Sequence, residues 1–230
     1  VYCACLIDKA LRVSKVDLDG KIVWQAIAGP YESYHGYGAS PVLYDSLVIV
    51  GGDNPGLGFI AGLDRATGDV VWRTARANQP SHSSPIVAYT SGVDQLLYCG
   101  QRAIVSYDPR TGTERWRMNG ASDETANTVA TDAELIYVSG GYPQTQIQAV
   151  RADGNRELVW ERKINVYVPS LLVSGERLLA VTDNGVIRML ASATGGDLWT
   201  KRLGGEVSAS PIAYGDVAMV VNEDGKVLLF

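Results

Sequence analysis

Imidazole is the side chain best suited to move a proton or hold a metal near neutral pH, and the chain has two, His35 and His82. Each lies shortly before a Ser-Pro pair, Ser40-Pro41 and Ser84-Pro85. Around them in sequence stand the phenols of Tyr31, Tyr34, Tyr37 and Tyr142, the amide of Asn54 and the guanidinium of Arg102. Carboxyl groups come from Asp53, Asp123, Glu124, Asp183 and Glu206. Glycoside hydrolysis would need two such acids within several ångströms, and nothing in the spacing pairs them. The histidines are too far apart to form a local ligand motif. A metal shared between structural units is the weaker reading, so no metal site and no catalytic residue is assigned.

Other apparent motifs reduce to turns. The stretch Gly51-Gly-Asp-Asn-Pro-Gly-Leu-Gly58 lacks the lysine and following helix of a phosphate-binding loop. Asp17-Leu-Asp19-Gly20 opens like a calcium loop but has no glutamate at the bidentate position. Cys3, Cys5 and Cys99 are too few for a disulfide framework. Cys3 and Cys5 share one strand face and are expected to be small core residues.

What positions these groups is a repeat. All five tryptophans, Trp24, Trp72, Trp116, Trp160 and Trp199, fall on an approximate period, with spacings of 48, 44, 44 and 39 residues. Asp64-Arg-Ala-Thr67-Gly68 precedes Trp72, and Asp108-Pro-Arg-Thr111-Gly112 precedes Trp116. Trp199 keeps Thr194-Gly195 without the Asp, Trp160 follows Asp153-Gly154, and Trp24 follows a shortened Asp17-Leu-Asp19-Gly20. Ser40-Pro41, Ser84-Pro85 and Ser210-Pro211 open units, and Pro-to-Trp is 31 residues in the first two. Each unit reads as four short strands rich in Val, Ile, Leu and Tyr; the clearest set is 85–89, 95–99, 103–107 and 113–118. The Asp-x-x-Thr-Gly word is the turn before the fourth strand, with Gly supplying a positive φ. Four-stranded units at this period are propeller blades.

The expected fold is therefore all-β: a β-propeller of four-stranded antiparallel blades, about four complete, with partial blades at both ends. Complete units span about 39–76, 84–118, 127–163 and 167–202, flanked by three strands in 1–27 and three in 208–230. Twenty-two strands do not divide into fours, so residues 1–230 are expected to be a single propeller domain cut from a ring of six to eight blades. Trp24, in the first partial blade, is expected to have fewer partners than Trp116. In a propeller the second-to-third-strand loops and the inter-blade loops share one face around the channel. Tyr34, His35, Tyr37, Asp53, Asn54, His82, Arg102, Asp123, Glu124, Tyr142 and Asp183 form the candidate binding face there.

The Asp-x-x-Thr-Gly-x-x-x-Trp word and the Ser-Pro opening resemble the PQQ-like, quinoprotein-type β-propeller repeat family, in particular its BamB-like non-enzymatic branch. That resemblance implies a docking role for the tryptophans and an interaction scaffold or binding module in the periplasm, secreted or at the cell surface. Its partner would be a protein or a small ligand on the channel face. The enzymatic branch implies a quinoprotein alcohol dehydrogenase-like oxidoreductase, with PQQ and Ca²⁺ as cofactors and two adjacent cysteines in a strained ring. Here the nearest pair is Cys3-Ala-Cys5, and the repeat uses every indole, so the expectation leans away from an enzyme and from any cofactor. A formal net charge of −5 without a basic stripe argues against nucleic acid. The longest apolar runs, 47–50 and 217–221, fall far short of the roughly 20 residues of a membrane span.

Overall fold

A computed structural model describes residues 1–120 and 122–230. Its twenty-two strands form six antiparallel sheets, and no helix occurs among the described residues. Sheet one holds β1 (Tyr2–Ile7), β2 (Ala10–Val16) and β3 (Ile22–Pro30); sheet two holds β4 (Val42–Tyr44), β5 (Leu47–Gly52), β6 (Phe59–Asp64) and β7 (Val70–Ala75). Sheet three holds β8 (Ile86–Thr90), β9 (Val93–Gly100), β10 (Ala103–Tyr107) and β11 (Glu114–Asn119). Sheet four holds β12 (Ala130–Thr131), β13 (Leu135–Gly140), β14 (Gln146–Arg151) and β15 (Leu158–Arg162). Sheet five holds β16 (Leu172–Ser174), β17 (Arg177–Val181), β18 (Val186–Ala191) and β19 (Asp197–Arg202). Sheet six holds β20 (Ile212–Tyr214), β21 (Val217–Val221) and β22 (Val227–Leu229). Strands pair in sequence order in every sheet, which is the up-and-down meander of a propeller blade.

The middle strands explain the stacking. Successive side chains of a strand point to opposite faces, and β5, β9, β10 and β13 are almost wholly buried because each has a sheet on both sides. In β5, Val48 and Val50 pack with Leu11 and Val13 of sheet one, while Ile49 packs with Leu96 and Tyr98 of sheet three. In β9 those two residues face sheet two, and Leu97 and Cys99 face Ile136 and Val138 of sheet four. The core is thus five layers between six sheets.

The outer strands carry the tryptophans, each beside a register shift, as between Gly62 and Leu63 opposite Trp72 and between Ser106 and Tyr107 opposite Trp116. Every indole except the last meets the turn of the next blade. A Cβ built on Gly68 would stand 2.7 Å from the Trp24 ring, on Gly154 3.0 Å from Trp116, and on Gly195 2.7 Å from Trp160; on Gly112 it would strike Trp72. These glycines have φ of +69° to +85°, so both the backbone and the neighbouring ring demand glycine. The Trp24 Nε1–H donates to the Arg65 carbonyl at 3.3 Å and that of Trp160 to the Ser192 carbonyl at 2.7 Å, the same position in two copies of the turn. The turn is held by the Asp64 carboxylate, which accepts the amides of Ala66 (2.7 Å) and Thr67 (2.9 Å), and by the Gly68 amide on the Asp64 carbonyl (2.9 Å).

One expectation is corrected. Cys3 and Cys5 are exposed: Tyr2, Ala4 and Leu6, on the other face of β1, are the residues that pack on sheet two. Trp24 is half-buried and Trp116 buried, in the expected order, and the most exposed indole is Trp199, 36% exposed, with Phe230 against its edge.

Candidate functional site

Antiparallel pairing brings the loops to one end. Gly52 pairs with Phe59 and Phe59 with Ala75, so the β5–β6 loop and the connection leaving β7 emerge together. The same holds in the other four-stranded sheets, and serines lace the blades beneath this loop face. The Ser40 amide donates to Ser84 Oγ at 2.8 Å, the Thr128 amide to Ser170 Oγ at 3.0 Å, and the Ser170 amide to Ser210 Oγ at 3.0 Å. The serine of the Ser-Pro word is thus an inter-blade acceptor. Ser170 was hidden from the sequence pattern because its proline precedes it.

Most of the candidate residues are engaged by the fold itself. Asp53 is buried, its two carboxylate oxygens taking Arg76 Nε at 2.6 Å and Nη2 at 3.0 Å, with both side chains fully buried. Arg76 also donates from Nη1 to the Tyr107 hydroxyl at 2.6 Å and lies 4.3 Å from the Tyr98 ring centroid. Burial pushes the Asp53 carboxyl up and Arg76 opposes this; burial also works against the Arg76 charge, but Asp53 holds the guanidinium above its ordinary value. The bidentate geometry fits the ionic form. Tyr37, whose hydroxyl donates to the Gly51 carbonyl at 3.0 Å and whose ring meets Tyr31 edge-on, is pushed well up by burial. Arg76, Tyr98 and Tyr107 were not among the sequence candidates; a lone arginine after an alternating strand carries no signal of burial.

The next candidates are also occupied. Asn54 is buried and staples its own loop, donating to the Gly52 carbonyl at 2.8 Å and accepting the Gly56 amide at 2.9 Å. Asp183 takes the amides of Tyr167 (2.8 Å) and Val168 (3.0 Å), one on each oxygen. Arg102, in the left-handed tip of the β9–β10 hairpin, is bidentate to Asp123 and holds that carboxyl below the usual range. Glu124 forms a backbone bridge with Tyr142. The connection 120–126 that carries Asp123 and Glu124 includes residue 121, which lies outside the described residues.

A smaller group remains at the surface. The His35 and His82 rings stand with centroids 6.0 Å apart, and Tyr34 meets His35 edge-on at 5.1 Å. Burial, and then His35, holds the His82 imidazole below its ordinary value, with Glu124 pulling the other way. Tyr34 and Tyr142 are strongly exposed. Aromatic tips on rigid loops are the usual anchors of protein contacts.

These groups do not fit a quinone with its calcium. Calcium wants several free oxygen ligands, yet Asp53, Asp123 and Asp183 have their carboxylates engaged. Among the described residues no cluster of three or more His, Cys, Asp or Glu could hold a metal. Of the five indoles, four pack on the next blade's turn and Trp199 on Phe230.

Comparison with known proteins follows the same lines. Residues 100–230 match the family model described as outer membrane protein assembly factor BamB. No curated protein matches the sequence significantly. Among solved structures, BamB from Moraxella catarrhalis aligns with TM-score 0.69 at 16% identity over 99% of this chain and 71% of that one. The computationally designed Ika8 protein aligns with TM-score 0.71 at 13% identity over 98% and 66%, and a europium-containing methanol dehydrogenase with TM-score 0.70 at 14% over 96% and 60%. The chain thus spans about two thirds of the length of its structural neighbours.

Proposed function

The chain belongs to the family of the outer membrane protein assembly factor BamB, and from that premise we propose that it is a non-catalytic PQQ-like propeller whose loop face binds a protein partner in the cell envelope. The observation that carries this reading is how the loop-face groups are spent. The carboxylates of Asp53, Asp123 and Asp183 hold the fold together, while the phenols left at the surface, Tyr34 and Tyr142, suit contact rather than acid–base work. Placement in the periplasm or at the cell surface rests on the resemblance to BamB. No helix of the described residues is long and apolar enough to cross a membrane.

The second reading, a quinoprotein oxidoreductase, is favoured only by the likeness of fold to a methanol dehydrogenase, and fold alone does not carry chemistry. Titration of the full chain with PQQ and Ca²⁺, followed by absorbance and by dye-linked alcohol oxidation, separates the two. The scaffold reading predicts no saturable spectral change and no turnover. Saturable binding with turnover would overturn it.

A further inference from the structure

Neither imidazole of the loop face serves any contact that holds the fold. His35 and His82 come from different inter-blade connections, yet their rings stand 6.0 Å apart at an interplanar angle of 77°. Each loop is anchored through its backbone instead: the His82 amide donates to the Thr125 carbonyl at 2.9 Å, and the His35 amide to Ser33 Oγ at 3.2 Å. Neither imidazole has a hydrogen-bond partner among the described residues.

Two imidazoles that share one cation at a metal–nitrogen distance of about 2.0–2.1 Å have ring centroids roughly 5–6 Å apart. The observed separation lies at the upper end of that span, with His35 exposed and His82 half-buried. We propose that His35 and His82 form a two-imidazole site for one borderline divalent cation of the zinc, nickel and copper class, with water filling the open positions. Imidazole selects such cations over magnesium and calcium, which prefer all-oxygen shells. Binding would pin the connection after sheet one to the connection after sheet two, fixing Tyr34 on the loop face.

The exposed thiols of Cys3 and Cys5 are competing ligands, so the test uses the full chain carrying Cys3→Ser and Cys5→Ser. Zinc chloride is titrated by calorimetry while the histidine ring resonances are followed by NMR. The proposal expects one saturable equivalent, both ring signals moving together, and at least about a tenfold loss of affinity in His35→Asn and in His82→Asn. Magnesium should move neither signal. Absence of saturable uptake, unshifted ring signals, or affinity unchanged in His35→Asn/His82→Asn would overturn it. If a variant is destabilised, the ring signals of the parent answer alone. Failure here leaves the scaffold reading standing, since that reading needs no metal.

Discussion

At the scale of single residues, the chemistry-bearing side chains divide into those the fold consumes and those it leaves outside. The Asp53–Arg76 pair is the costliest to disturb, because removing one partner strands a charge in a dry interior. Arg76→Met should lower stability by about 3–5 kcal/mol, read as a shift of the urea midpoint, and Asp53→Asn/Arg76→Met should recover most of it. An unchanged midpoint in Arg76→Met would contradict the ionic pairing. The surface carboxylates give a second expectation. Asp64 is held below the usual carboxylate range by the amides of Thr67 and Ala66, Asp123 by Arg102, and Asp197 by Arg162. A carboxyl depressed in the folded state stabilises above its unfolded pKa, about 3.9, and that stability is lost as pH falls through the folded value. His82, held below its ordinary value, acts in the same direction at a higher pH, since the unfolded chain takes up the proton first. Urea melts should therefore show stability beginning to fall below about pH 6.5 and falling further below about pH 4. A flat profile over that range would be inconsistent with these contacts.

At the scale of the element, the tryptophan period was legible because every blade must cover the turn of its neighbour with one large ring, and the positive-φ glycine beneath it cannot be replaced cheaply. The middle strands were legible as short apolar runs because sheets cover both faces. Strand 103–107 coincides with β10, and the other three of that unit agree within two residues. The exposure of Cys3 and Cys5 was not legible, since alternation says that two faces differ but not which one meets a sheet. The inter-blade serines were legible only where Ser preceded Pro. Nor does the sequence reveal Gln95, which accepts from Trp116 Nε1 at 3.1 Å and donates to the Ala152 carbonyl of the next blade at 2.7 Å, relaying the bond that Trp24 and Trp160 make directly. Trp116→Ala should accordingly cost about 3–5 kcal/mol, and Trp199→Ala clearly less, because Trp199 meets no turn. Equal losses in denaturant melts would speak against the packing of indole on turn.

At the scale of the whole molecule, six sheets share five hydrophobic layers, each between successive sheets, and the loop face is assembled from many separate loops. Which loops would meet on that face followed from strand order alone. Which of their side chains would remain free did not, because burial of Asp53 depends on Arg76, Tyr98 and Tyr107 from elsewhere in the chain. The most direct test of a binding role for this face is site-specific photo-crosslinking in the cell envelope. A crosslinking residue is placed at Tyr34 or Tyr142 on the loop face and, for comparison, at Tyr89 or Tyr214 beside the hairpin turns of the opposite face, all four being strongly exposed. Discrete protein adducts at Tyr34 and Tyr142, and none at Tyr89 and Tyr214, are the predicted result. Adducts equal on both faces, or confined to Tyr89 and Tyr214, would contradict it.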